Sequence, residues 1–247
     1  MTAFGGEAIV CKYWGGRGLM EPVRMMLAIS GRFPNAGYTD ERHSSPPSSG
    51  LESNLGRLPI VQVGSESIGQ SGAQYMYVAR ACDLLGDNSI EAAKCMSIYE
   101  HAREMTQVWR ELVPWGAEPT AEVLNKWFSE GSTDVSGPAV GAERSTRFLT
   151  WWMGRIESTL ASNGFAVGNR LSLADIILYN VFAEHMSASD CPPDVKSYSK
   201  GPFGGDLAKD KLAAALAAHP KIKASCDAVA ANKNIQKWLA TRGTQYF

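Results

Sequence analysis

Residues 8–31 read AIVCKYWGGRGLMEPVRMMLAISG, and the first unit of the fold follows from them. Ala8 to Tyr13 is a short apolar run with a single lysine, the pattern of a buried strand, and Gly15, Gly16 and Gly18 interrupt it. From Glu21, with Pro22 at a first helical position, Val23, Met26, Leu27 and Ile29 or Ser30 recur at helical spacing until Gly31 ends the run. The stretch is a β-loop-α unit.

Outward from it, residues 32–54 are rich in Ser, Pro and charge and predict a loop with weak structure, apart from a short strand around Tyr38. Leu58-Pro59-Ile60-Val61-Gln62-Val63 reads as a strand that begins at a proline, Gly64 to Ser67 as a turn, and Ile68 as the start of a very short returning strand. Gln70-Ser71 opens a helix to about Leu84, with Ser71 a good capping type and Gly86-Asp87-Asn88 at its end. After Ser89 the alternation stops. Long helical patterns follow at 90–113, 119–129, 142–162, 172–185, 207–218, 220–231 and 233–242, with loops at 129–141 and 187–210, the second a surface loop or, in the alternative, a lid or partner surface. The expected architecture is therefore α/β plus all-α, with a boundary near 86–90: a thioredoxin-like domain over residues 1–87, followed by a helical bundle over residues 90–247.

Composition limits the function. The 247 residues carry 24 Lys+Arg against 25 Asp+Glu, a net charge of −1, which argues against a general nucleic-acid binder. With 45% hydrophobic and 20% charged residues a sizeable core is expected and global disorder is not. The five cysteines are odd in number and scattered, without the close pairs of a zinc site or a disulfide framework, which suits a reducing compartment. The N-terminal residues lack a basic start followed by an apolar run, and no segment approaches the roughly 18 apolar residues of a membrane span. A cytoplasmic protein without membrane partners is expected.

Four short pieces carry chemistry. Tyr13 at the end of the first strand faces a helix N-terminus, where a phenol can donate to an anion; packing of a Tyr13-Trp14 pair, with Arg24 solvated or salt-bridged, is the plainer alternative. Leu58-Pro59 is suited to a cis peptide that turns the Leu58 backbone outward, where it can pair with an extended peptide ligand; a trans proline opening an edge strand is the alternative. At Gln70-Ser71 free backbone N–H groups, the helix dipole and a hydroxyl converge as a carboxylate site, or Ser71 is a plain cap. Ser172-Leu173-Ala174-Asp175 is a capping box with Asp at its third helical position, and its role is structural.

In this order and at these separations, the pieces resemble the cytosolic glutathione transferase superfamily, over nearly the whole chain. Tyr13-Trp14 with Arg17-Gly18-Leu19 and Glu21-Pro22 is similar to the Tyr-type classes, mu and sigma especially. The resemblance implies a detoxification enzyme, a homodimer that takes glutathione as co-substrate with no other cofactor and no metal. In it Tyr13 promotes ionisation of the glutathione thiol; Arg57, Leu58, Pro59, Gln70 and Ser71 border glutathione, and Trp14 and Leu19 border glutathione or the subunit contact. A small hydrophobic electrophile then meets Met105, Trp109, Arg110 and Phe247, together with Trp115 and Tyr246. Met105 and Trp109, four residues apart, read equally well as a core stripe. Residues 32–54 contain no Trp or Lys to contact the glycine carboxylate of glutathione; of Arg42, His43 and Arg57, the last is best placed, the other two being expected in a solvated loop. Glu100 or Glu104 stands near the acidic residue that family members lend to a partner subunit, and Gln74 and Met76 replace the more usual Ile and Arg. A glutathione-dependent isomerase similar to the sigma-class prostaglandin D synthases and a non-catalytic ligand-binding relative are the alternatives.

Overall fold

The computed structural model describes residues 3–129, 147–187 and 190–247. Its first part is built on β1 (Ile9–Trp14), α1 (Glu21–Ile29), β2 (Phe33–Pro34), β3 (Gly37–His43), β4 (Ile60–Val63), β5 (Glu66–Ile68) and α2 (Ser71–Ala81). The sheet order is β2-β3-β1-β4-β5, with β3 parallel and β4 antiparallel to the central β1. This is the thioredoxin-like arrangement expected from the β-loop-α start. Along β1 the side chains alternate, so that Ile9, Cys11 and Tyr13 are buried between their half-buried neighbours.

One expectation needs correction. Residues 37–43 are not a weakly structured loop but a seven-residue strand in register with β1, Tyr13 lying opposite Arg42 and Trp14 opposite His43. Its sequence, GYTDERH, hides the strand because five consecutive polar residues follow Tyr38, of which Asp40 and Arg42 are held by partners elsewhere in the chain rather than by an apolar face of their own.

The second part is helical: α3 (Ser89–Leu112), α4 (Ala121–Trp127), α5 (Leu149–Thr159), α6 (Leu173–Phe182), α7 (Lys209–Ala217), α8 (Pro220–Ala230) and α9 (Lys233–Thr241). The expected first residues of α5, 142–146, and nearly all of the expected loop 129–141 lie outside the described residues. Helix α3 starts at Asn88, whose side chain accepts from the N–H groups of Ile90 and Glu91, and buries Cys95, Ile98, Ala102, Met105 and Trp109 along one stripe. Helix α6 is enclosed by α1, α3 and α8. Its capping box forms as read from the sequence, with Asp175 accepting from the Ser172 N–H at 2.9 Å and hydroxyl at 2.7 Å, and further from Ala166 N–H and Ser225 Oγ. Burial pushes the Asp175 carboxyl up, and these donors only partly offset it.

The expected loop 187–210 is structured where described. It carries 3₁₀ turns at Ser197–Ser199 and Pro202–Ala208, and Phe203 is buried among Trp109, Trp127 and Phe182. Gly205 has φ +54, and a Cβ on it would stand 2.3 Å from the Ser197 carbonyl oxygen, so only glycine permits the return of the chain there.

Candidate active site

The alternation of β1 turns the Tyr13 ring inward, and the glycine loop folds back over it. The backbone N–H of Leu19 donates to Tyr13 Oη at 3.2 Å. Gly18 has φ +41, and a Cβ on it would stand 2.4 Å from that oxygen, so the loop closes on the phenol only because residue 18 has no side chain. Tyr75 Oη donates to the Leu19 carbonyl at 2.6 Å and fixes the other side of the loop. Phe247 covers the site, its ring edge-on to Tyr13 with centroids 6.5 Å apart, and its carbonyl accepts from the Arg17 N–H at 2.8 Å. Burial pushes the Tyr13 phenol up, against opposing effects of the Leu19 N–H and Arg24. The phenol therefore keeps its proton at neutral pH, and that proton has no acceptor among the described residues.

The second group of residues converges from three short segments. The Leu58–Pro59 peptide is cis. Asn54 Nδ2 and Gln74 Nε2 both donate to the Pro59 carbonyl, at 3.0 and 2.9 Å, while Asn54 Oδ1 accepts from the Gln70 N–H at 3.1 Å and Gln74 Nε2 also reaches the Ile68 carbonyl. These two buried amides tie the turn before β4 to the start of α2. Sequence reasoning missed Asn54 and treated Gln74 only as a departure; the trace in the sequence is Gly69, where a Cβ would stand 2.2 Å from the Ser53 carbonyl oxygen. Gln70, at φ 59, is exposed at the helix end, and Ser71 Oγ lies 3.3 Å from Tyr99 Oη. Neither the N–H nor the C=O of Leu58 has a hydrogen-bond partner among the described residues.

Between the two parts lies a cavity of about 760 Å³ that runs from Ser71 and Tyr99 past Leu19 and Phe247 to Trp109, Arg110 and Trp115. Its far wall includes Tyr198, Ser199 and Gly201 to Gly204, so this part of the expected loop encloses the cavity rather than standing free of it. Met105 is fully buried in the core and is not on the cavity wall, whereas Trp109 belongs to both core and wall. Trp14 packs half-buried against the core, Tyr246 lies over Gly15, and neither lines the cavity. Arg57 is exposed and donates to the Asn54 carbonyl at 3.3 Å. Arg42 and His43 are not in a solvated loop: Arg42 bonds Asp40 and the carbonyls of Arg242 and Thr244, and His43 stands 3.8 Å from Glu41 on β3. Glu100 pairs at the surface with Arg103.

Behind the glycine loop is a buried ionic network that the sequence did not disclose. Arg24 bonds Asp40 and the Gly16 carbonyl; Arg242 bonds Glu21, Glu184 and Asp190; Arg17 bonds Glu184 and the Ser199 carbonyl; Trp238 Nε1 donates to Glu21. With Arg42, the network joins four arginines to four carboxylates, so its charge balances. It fixes the loop that holds Tyr13 against the C-terminal helical part.

A sheet-and-bundle chain with a buried phenol, a cis-proline turn, and a helix whose first residue, Ser71, lines the cavity between its two parts has clear relatives. The profile described as "Glutathione S-transferase, C-terminal domain" matches residues 139–200. Glutathione S-transferase 4 of Caenorhabditis elegans is 32% identical over 171 residues, 67% of this chain and 74% of that protein. Among solved structures, a Nu-class enzyme of Haemonchus contortus superposes with a TM-score of 0.60 at 21% identity over 98% of this chain and 100% of that one. A monomeric glutathione S-transferase of the hookworm Necator americanus gives 0.65 at 22% identity over 97% and 100%. The chain belongs to the glutathione S-transferase family of enzymes.

Proposed function

We propose that this chain conjugates glutathione to hydrophobic electrophiles, with Tyr13 as the group that stabilises the thiolate, as in the Tyr-type classes. The observation that carries the proposal is the phenol of Tyr13: protonated, held by the Leu19 N–H, and set beneath the residues that line the cavity. A free thiol of this kind ionises near pH 8.5, so at neutral pH most glutathione is unreactive. A phenol that donates to sulfur favours the charged form and lowers that value. The thiolate then forms a carbon–sulfur bond to the electrophile while chloride, or another leaving group, departs with its electron pair.

In this reading residues 1–87 bind glutathione and residues 90–247 hold the electrophile. The unpaired Leu58 backbone supports pairing with the cysteinyl main chain of glutathione, and the α2 N-terminus at Gln70-Ser71 supports binding of its γ-glutamyl carboxylate. Arg57 is proposed for the glycine carboxylate. Among the described residues no helix is long and apolar enough to cross a membrane. A cytoplasmic homodimer with a role in detoxification belongs to the same proposal; its mass in solution tests the dimer, and one structural neighbour is described as monomeric.

The test is conjugation of 1-chloro-2,4-dinitrobenzene by wild type and Tyr13→Phe, with glutathione binding measured on both. Tyr13→Phe is expected to bind glutathione but to lose about a hundredfold in kcat, and the pH profile of its residual activity moves toward the free-thiol value. Binding without turnover by wild type on a panel of electrophiles would refute the transferase assignment in favour of a ligand-binding role.

A further inference from the structure

Among the described residues three guanidinium groups face the cavity, and two of them are neutralised within the protein. Arg17 is bound by Glu184 and the Ser199 carbonyl, and Arg103 by Glu100. Arg110 forms no hydrogen bond or ion pair among the described residues. Its Nε is shielded from solvent without a partner, and its guanidinium carbon stands 3.6 Å from the centroid of the Trp115 ring. Stacking on an indole fixes the plane of the fork and leaves its in-plane N–H groups free for a planar acceptor. Glu184, the carboxylate on the cavity wall, is already committed to Arg17 and Arg242 and does not serve Arg110.

Burial, with no acidic neighbour among the described residues, pushes the Arg110 group down from its ordinary value, yet an arginine so placed stays charged. A charged group that is partly desolvated and unpaired is costly, and a bound anion removes that cost. Position adds the rest. From Tyr99, beside Ser71, to Arg110, helix α3 advances about 16 Å at 1.5 Å per residue, so Arg110 stands at the end of the cavity away from Ser71, past the apolar walls of Trp109, Val113 and Phe203.

We propose that Arg110, stacked on Trp115, is a specificity residue that selects amphipathic electrophiles carrying a carboxylate at the end remote from the reacting carbon. The inference rests on the transferase reading above and names its substrate class. For an enone of this class the glutathione sulfur adds to the terminal alkene carbon. The alkene π pair moves into an enolate, the α-carbon takes a proton from solvent, and nothing leaves or is oxidised.

The experiment uses ethacrynic acid, an aryl enone with a carboxylate at its far end, against its methyl ester, with saturating glutathione. Wild type is expected to show a KM for the acid roughly tenfold below that for the ester. Added sodium chloride raises the first and not the second. Arg110→Met brings the acid-to-ester KM ratio close to one, and Arg110→Lys restores part of the preference, because it returns the charge but not the planar fork. Turnover of both compounds by wild type with equal KM values and no salt effect overturns the carboxylate proposal alone, and does so without any variant. An unchanged ratio in folded Arg110→Met overturns it as well. No turnover of either compound or of 1-chloro-2,4-dinitrobenzene removes the transferase reading, and this proposal with it.

Discussion

Arg242 Nη1 lies 3.0 Å from Glu21 Oε1, and the two side chains, separated by 221 residues of sequence, are both closed to solvent. The pair joins the end of α9 to the first turn of α1, directly behind the loop that carries Leu19 over Tyr13. Arg24 and Trp238 complete the surroundings of Glu21, and Glu184 and Asp190 those of Arg242. The glycine loop over Tyr13 is thus held from behind by α9.

Arg242→Met is expected to destabilise the protein by about 3–5 kcal/mol, because it removes the cation shared by three buried carboxylates, Glu21, Glu184 and Asp190. Urea denaturation measures it, and the double variant Glu21→Gln, Arg242→Met should lose less than the sum of the single changes. Strict additivity would show that the pair is not coupled.

Acid stability follows from the same pair. Burial alone would raise the Glu21 carboxyl, but Arg242 and Arg24, together with the Trp238 N–H, outweigh it and hold the group below its ordinary 4.5. A depressed carboxyl contributes stability above its unfolded value and loses it as pH falls toward the folded one. Wild type should therefore lose stability as pH drops below about 4.5, and more steeply than Glu21→Gln, in urea midpoints taken across that window. Parallel curves would remove Glu21 from the acid transition.

Gly18→Ala tests the closure of the loop. The added Cβ meets the Tyr13 oxygen and residue 18 must hold a positive φ, at a cost of about 1–2 kcal/mol. Conjugation should fall further than thermal stability, because the displaced group is the phenol itself. An alanine variant with wild-type kcat would mean that the Leu19 N–H is not what positions Tyr13.

Asn54→Ala removes one of two donors to the Pro59 carbonyl and the acceptor of the Gln70 N–H. Glutathione affinity is expected to weaken about tenfold, with kcat at saturating glutathione little altered. Titration calorimetry separates the two, and a fall in kcat at unchanged affinity would count against the assigned role.

Much of this was legible in the sequence because it is local. The strand, glycines and Pro22 of residues 8–31, the Leu58-Pro59 turn, the start of α2 at Ser71 and the Ser172–Asp175 box depend on side chains a few positions apart, and their caps and periods can be read along the chain. Strand β3 was not legible, because Asp40 and Arg42 are satisfied by Arg24 and by the carbonyls of residues 242 and 244. The cavity wall from the segment 187–210 was legible only as the alternative of a lid, for the same reason, since glycines and a proline read as a loop while Phe203 packs between Trp109 and Trp127.

The sequence by itself determined the α/β start, the helical second half, the phenol at the end of β1 and the helix opening at Gln70-Ser71. Only the tertiary structure decided which charges neutralise one another, that Asn54 and Gln74 converge on Pro59, that Met105 belongs to the core, and that Arg110 faces the cavity without a charged partner among the described residues. The physical reason is distance along the chain. Hydrogen bonds in caps and turns are set by neighbours, whereas the partner of a buried charge is chosen by the packing of elements that, for Glu21 and Arg242, lie at opposite ends of the polypeptide.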